Sequence, residues 1–308
     1  MAGKLRIGSA PRRSTTLGIG TPKIIVPLVA RTQLELIGSA AQASGYRYPG
    51  TEGFTPAHGE RHPSVGARAT EPLTFTGTGG TPPGADDAES APTFTPDLLE
   101  WRVDYMEEAL SETAMLAAAQ DLRTATDLPI LATFRTSAEG GEKEIEGPVY
   151  ADLLVALAES GAVDAVDVEM FRDSGLVEGI VAGIQGAGVP VIGSFHDFAE
   201  TPSEAEILGR LTQMAQRGAN AVKIATTANS KRDALTVLGA TLAASQALPV
   251  PVISMAMGPA GAITRIATGI FGGSASFATI AAQATSAPGQ LPAAELAPIM
   301  DYLARIDG

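Results

Sequence analysis

From residue 97 onward, short apolar runs rich in β-branched residues alternate with Ala- and Leu-rich stretches of helical spacing. This pattern predicts strands at 98–104, 129–135, 165–170, 189–196, 221–226, 252–258 and 275–280, with one more upstream at 23–30 (KIIVPLVA). Helical spacing recurs between them, for example at 150–160, 203–217 and 231–246. Strands alternating with helices argue for parallel βαβ units. A count of eight favours a closed (β/α)8 TIM barrel, an α/β fold, over an open doubly wound sheet. One such domain accounts for residues 1–308.

One stretch breaks the rhythm. Between residues 44 and 96 more than half of the positions are Gly, Pro, Ser or Thr, with GTGGTPPG at the centre. Such a composition buries too little apolar surface to offset the entropy of ordering it. A flexible Gly/Pro/Thr-rich insertion after the first strand is therefore expected. It carries Arg47, His58, Arg61, His62 and Arg68, which either touch a neighbour or remain solvated and silent.

Acidic residues outnumber basic ones by 34 to 21, a formal charge of −13. Such a surface repels phosphate backbones and anionic lipid, so neither nucleic acid nor a membrane is the expected partner. With no cysteine there is neither disulfide nor thiolate chemistry. No apolar run reaches a membrane span, and the N-terminus lacks the apolar core of a secretory signal. A cytoplasmic setting is the expectation.

Polar groups then interrupt the apolar strands on one side. Alternate residues of a strand face opposite ways. That places Glu100, Arg102 and Asp104 together, Asp167 with Glu169, Arg135 with Thr133, and Lys223 opposite Val222 and Ile224. His196 ends its strand. Five neighbouring strands thus send ionisable groups toward the carboxyl end, where barrels keep their active sites. Lys223 is one of five lysines and the one set within a β-branched run. Burial disfavours the ammonium, which makes a nucleophilic amine accessible for Schiff-base chemistry. The plainer alternative is a buried ion pair with Glu100 or Glu169. His196, the one histidine outside the insertion, suits proton transfer near neutrality, or else is a satisfied core residue. A metal on Asp167, Glu169 and His196 is disfavoured, because Arg102, Arg135 and Lys223 would crowd it with positive charge. The GGSAS run at 272–276 offers a weak anion-binding signal.

The segments EWRVD (100–104), TFRTSAEGGE (133–142), DVEMF (167–171), SFHDFAETP (194–202), VKIA (222–225), MAMGPAGAITR (255–265) and SAPGQ (286–290) together resemble type I 3-dehydroquinate dehydratases. The likeness runs from about Pro22 to Leu291, apart from the insertion. It implies a barrel, usually a homodimer, that removes water from 3-dehydroquinate in the shikimate pathway, a hydro-lyase reaction. By that resemblance Lys223 forms an imine with the substrate ketone and His196 moves the protons. Arg265, Ser286 and Gln290 resemble the group that holds the substrate carboxylate. Glu100, Arg102, Arg135 and Glu139 resemble the set that binds ring hydroxyls and positions the histidine. An imine is its own electron sink, so no cofactor or metal is implied. The sequence departs from the pattern at Pro27, where enteric-type members are expected to carry serine, and this puts substrate affinity in doubt. The rival readings are another Schiff-base barrel of the aldolase type, acting on sugar phosphates, and an inactive barrel that binds a shikimate-type ligand.

Overall fold

The computed structural model describes residues 3–9, 13–45, 94–280 and 287–307. All eight expected strands form: β1 (Lys23–Leu28), β2 (Leu98–Arg102), β3 (Ile130–Thr133), β4 (Ala165–Glu169), β5 (Val191–Asp197), β6 (Ala221–Thr227), β7 (Val252–Met257) and β8 (Ala275–Thr279). They run parallel in the order β8-β1-β2-β3-β4-β5-β6-β7. The end of β8 pairs with the two-residue strand Leu291–Pro292, and Ser274 N donates to Val252 O at 2.8 Å, drawing the β7 and β8 edges together. Helices α1 (Gln33–Ser44), α2 (Glu112–Ala125), α3 (Gly147–Glu159), α4 (Ser174–Gly186), α5 (Glu204–Gln216), α6 (Lys231–Ala247), α7 (Ala262–Ala267) and α8 (Ala293–Asp307) follow the strands in turn. Several helix starts are written in the sequence: Thr32 with Glu35, and Ser203 with Glu206, form reciprocal capping boxes.

The outward strand faces pack on the helices. Val166 and Val168, for example, join Leu154 and Leu157 of α3 and Ile184 of α4 in one buried cluster. The inward faces form a second, separate cluster whose lower ring takes one residue per strand: Ile25, Leu98, Leu131, Ala165, Ile192, Ala221, Ile253 and Ala275. Three of the eight are alanines, which leaves room, and an N-terminal hairpin fills it. Leu5–Ile7 pairs antiparallel with Thr15–Leu17, and Ile7 and Leu17 are fully buried in that ring. Strands of three residues carry too little periodicity to be read from sequence, so this plug was not expected. Leu17→Ala should cost about 2–5 kcal/mol, because the strand ring cannot collapse onto the void. Urea unfolding will measure it, and a loss near zero would mean the plug contributes nothing to the core.

Three sequence expectations are refined. Asp104 lies in a 3₁₀ turn (Val103–Tyr105) just beyond β2, and Arg135 lies just beyond β3, although both still point into the barrel mouth. The low-complexity stretch, expected after the first strand, follows the first helix as well: α1 is continuous to Ser44 and ends on Gly45, whose φ of 65° is the left-handed conformation glycine adopts readily. Residues 46–93, with Arg47, His58, Arg61, His62 and Arg68, lie outside the described residues. Among the described residues no helix is long and apolar enough to cross a membrane.

Candidate active site

Two residues above the apolar ring, the inward positions of β2 to β6 change character. Glu100, Thr133, Asp167, Ser194 and Lys223 stand on neighbouring strands, and Arg102, Arg135, Glu169 and His196 stand above them. Glu100, Arg102, Arg135, Glu139, His196, Lys223, Arg265 and Gln290 line one cavity at the carboxyl end of the strands. The expected site residues are therefore brought together, with one exception: Ser286 lies outside the described residues.

Lys223 is 4% exposed. Its Nζ donates to Asp167 Oδ2 at 3.1 Å and to Glu100 Oε1 at 3.3 Å, and sits 4.5 Å from the centre of the Phe277 ring. The ion pair anticipated from sequence exists, but its second member is Asp167 and not Glu169. Glu169 instead takes Thr136 N at 2.8 Å, Thr136 Oγ1 at 2.9 Å, Arg135 at 3.2 Å and Arg172 at 3.3 Å, so it anchors the loop after β3. Asp104, also fully buried, receives a bidentate pair from Arg102 at 2.8 and 2.7 Å and the backbone N–H groups of Arg135 and Glu142. Burial weakens the Arg102 charge, but Asp104 outweighs it and holds the guanidinium above its usual range.

That anchored loop carries Glu139. Its Oε2 accepts the His196 backbone N–H and meets His196 Nδ1, both at 3.0 Å. Burial pushes the Glu139 carboxyl up to about 8 against the pull of Arg135. Burial, then Arg135, Lys223 and Arg102, hold the imidazole well below its usual 6.5. At neutrality the histidine is thus uncharged. Oε2 already accepts the His196 backbone N–H and Arg135, so His196 Nδ1–H donates to it as well. This tautomer, assigned from the hydrogen bonds, leaves Nε2 as a free base.

Arg265 differs from the other arginines. It is 1% exposed, yet its partners are Met255 Sδ at 3.5 Å, Phe277 O at 3.4 Å and Pro288 O at 3.4 Å, and Nε has none. Among the described residues no carboxylate neutralises it, and burial brings it down to about 10. A buried guanidinium without an anion is a site prepared for one. The GGSAS run is not such a site. The N–H groups of Gly272, Gly273 and Ser274 already donate to Gly269, Thr268 and Val252, and the run leads into the first two residues of β8, at the opposite end of the barrel.

The sequence offers Asp167 as a metal ligand, Glu169 as a metal ligand or a partner of Lys223, and assigns no role to Thr133 or Ser194. The structure joins Asp167 to Arg135, Ser194 and Lys223, while His196 turns to Glu139. The available signal was the alternation itself, since Ser194 and Thr133 share faces with His196 and Arg135.

The family model for type I 3-dehydroquinase matches residues 83–307. A 3-dehydroquinate dehydratase from Lactiplantibacillus plantarum is 43% identical over 209 residues, which cover 68% of this chain and 82% of that protein. One from Listeria monocytogenes is 39% identical over 219 residues, 71% of this chain and 86% of that protein. Among solved structures, a type I 3-dehydroquinate dehydratase from Clostridium difficile with covalently modified comenic acid superposes with a TM-score of 0.77 at 28% identity. It covers 99% of this chain and 100% of that one.

Proposed function

Because the chain belongs to the type I 3-dehydroquinase family, we propose that Lys223 and His196 carry its reaction, with the roles that follow from their surroundings. The activity is dehydration of 3-dehydroquinate, a hydro-lyase step of the shikimate pathway, and the Schiff-base route is characteristic of the family. Lys223 attacks the substrate ketone. The two hydrogens it sheds leave with the ketone oxygen as water, and one stays on the iminium nitrogen. His196 Nε2 then takes the proton beside the imine carbon, and the electron pair moves onto nitrogen as an enamine. The enamine expels the ring hydroxyl, which leaves as water with the proton His196 returns. Hydrolysis frees the product.

The observation that carries this reading is one buried lysine and one uncharged histidine on the same cavity wall. Borohydride reduction in the presence of 3-dehydroquinate, followed by peptide mass mapping, tests it. A stable adduct on the Lys223 peptide is expected, and no adduct from the folded protein would sink the assignment.

Arg265 takes the substrate carboxylate, supported by its having no carboxylate partner among the described residues, with Gln290 beside it in the cavity. Ser286 completes this group by resemblance. Glu100, Arg102 and Arg135 hold the ring hydroxyls. Arg265→Ala should lower kcat/KM by about 30-fold to 1,000-fold, since truncating one partner of a buried charge pair costs on that order, with the loss falling mainly on KM. An unchanged KM would move the carboxylate elsewhere. We further take the chain as one barrel domain with residues 44–96 inserted in it, and the working form as a cytoplasmic homodimer. Light scattering tests the homodimer.

A further inference from the structure

Two carboxylates meet the Lys223 nitrogen, and they are held differently. Glu100 lines the cavity, and one oxygen, Oε1, serves both Thr133 at 3.0 Å and Lys223 at 3.3 Å. Among the described residues Oε2 has no hydrogen-bond donor, so Glu100 has an oxygen to offer a ligand. Asp167 is fully buried and is absent from the cavity wall. Its Oδ1 takes Ser194 Oγ at 2.5 Å and Arg135 at 2.6 Å, and its Oδ2 takes Lys223 Nζ at 3.1 Å. Asp167 thus touches the reacting nitrogen without lining the cavity.

We propose that Asp167 is the fixed counterion of the Lys223 nitrogen through the reaction, while Glu100 exchanges its lysine contact for substrate hydroxyls. This rests on Lys223 as the imine-forming residue. Ammonium and iminium both carry one positive charge, so a carboxylate set against the nitrogen favours both. The enamine that follows the iminium is neutral, and an unshared carboxylate would hold the iminium back from it. Arg135 and Ser194 share the Asp167 charge from shorter distances than Lys223, which tempers that hold. Burial opposes the Asp167 charge, but Arg135, Lys223 and Ser194 together outweigh it and keep the carboxyl down at about 2, so the counterion is present throughout the neutral range.

The test compares Asp167→Asn with the unaltered full-length protein. At saturating 3-dehydroquinate, the initial rate of borohydride trapping reads the iminium population. Asn should lower that rate and kcat by about 100-fold, the scale of one lost electrostatic contact to a reacting atom, with KM changed by less than about threefold. Trapping at the unaltered rate, or a loss confined to KM, would overturn the proposal. Where the Asn variant fails to fold, Ser194→Ala decides. With the hydroxyl gone, Asp167 holds the iminium harder, so trapping should speed up while kcat falls, and no change in either would overturn it. Absence of any adduct on Lys223 in the unaltered protein would instead defeat the lysine assignment beneath it.

Discussion

Lys223→Met is expected to abolish turnover, by about 10⁴-fold or more, and to remove the borohydride adduct, because no other side chain at the site can form the imine. Methionine keeps the unbranched stem and drops the amine, so the change is mainly chemical. It also leaves two buried carboxylates short of a cation. Breaking a buried pair costs about 3–5 kcal/mol where the remaining charge is stranded. Here Asp167 keeps Arg135 and Ser194, and Glu100 keeps Thr133, so the stability loss should fall at or below the lower end of that range. Circular dichroism and urea unfolding separate the two effects. A folded variant with residual turnover above a thousandth would place the nucleophile elsewhere.

The second large effect concerns His196. His196→Ala should lower kcat by about 10²- to 10⁴-fold, the usual contribution of a positioned general base. The sign of the pH dependence follows from its surroundings. The base must be uncharged, and burial with Arg135, Lys223 and Arg102 disfavours its protonated form. Activity should therefore persist below pH 6.5 and be lost only as the pH falls through the depressed His196 value. The alanine variant should lose that acid limb altogether. An acid limb unchanged in the variant would mean that another group controls it.

Strand alternation alone accounts for most of this site. Glu100, Arg102 and Asp104 on one face, Asp167 with Glu169, and Lys223 away from Val222 and Ile224 are consequences of the two-residue repeat, which is local. Arg265 and Glu139 were reached only through the family resemblance. Glu139 sits in a three-residue 3₁₀ turn and Arg265 in the six-residue α7, both too short for a periodicity to mark a direction. The N-terminal hairpin escaped for a related reason: its burial depends on a gap left by Ala165, Ala221 and Ala275, three residues on three distant strands.

What the sequence by itself determined is the set of eight strands, the side of the sheet each side chain takes, and the presence of a lysine and a histidine among acids and arginines. Partner choice belongs to the tertiary structure. Lys223 lies 56 residues from Asp167 and 123 from Glu100, and only the curl and stagger of the sheet bring their polar atoms within hydrogen-bond reach. The same geometry gives Glu169 to the Glu139 loop, aims Glu139 at His196, and leaves Arg265 buried without a carboxylate among the described residues. Such pairings are differences of an ångström or two between groups of equal charge, and a pattern read along one chain carries no distance between strands.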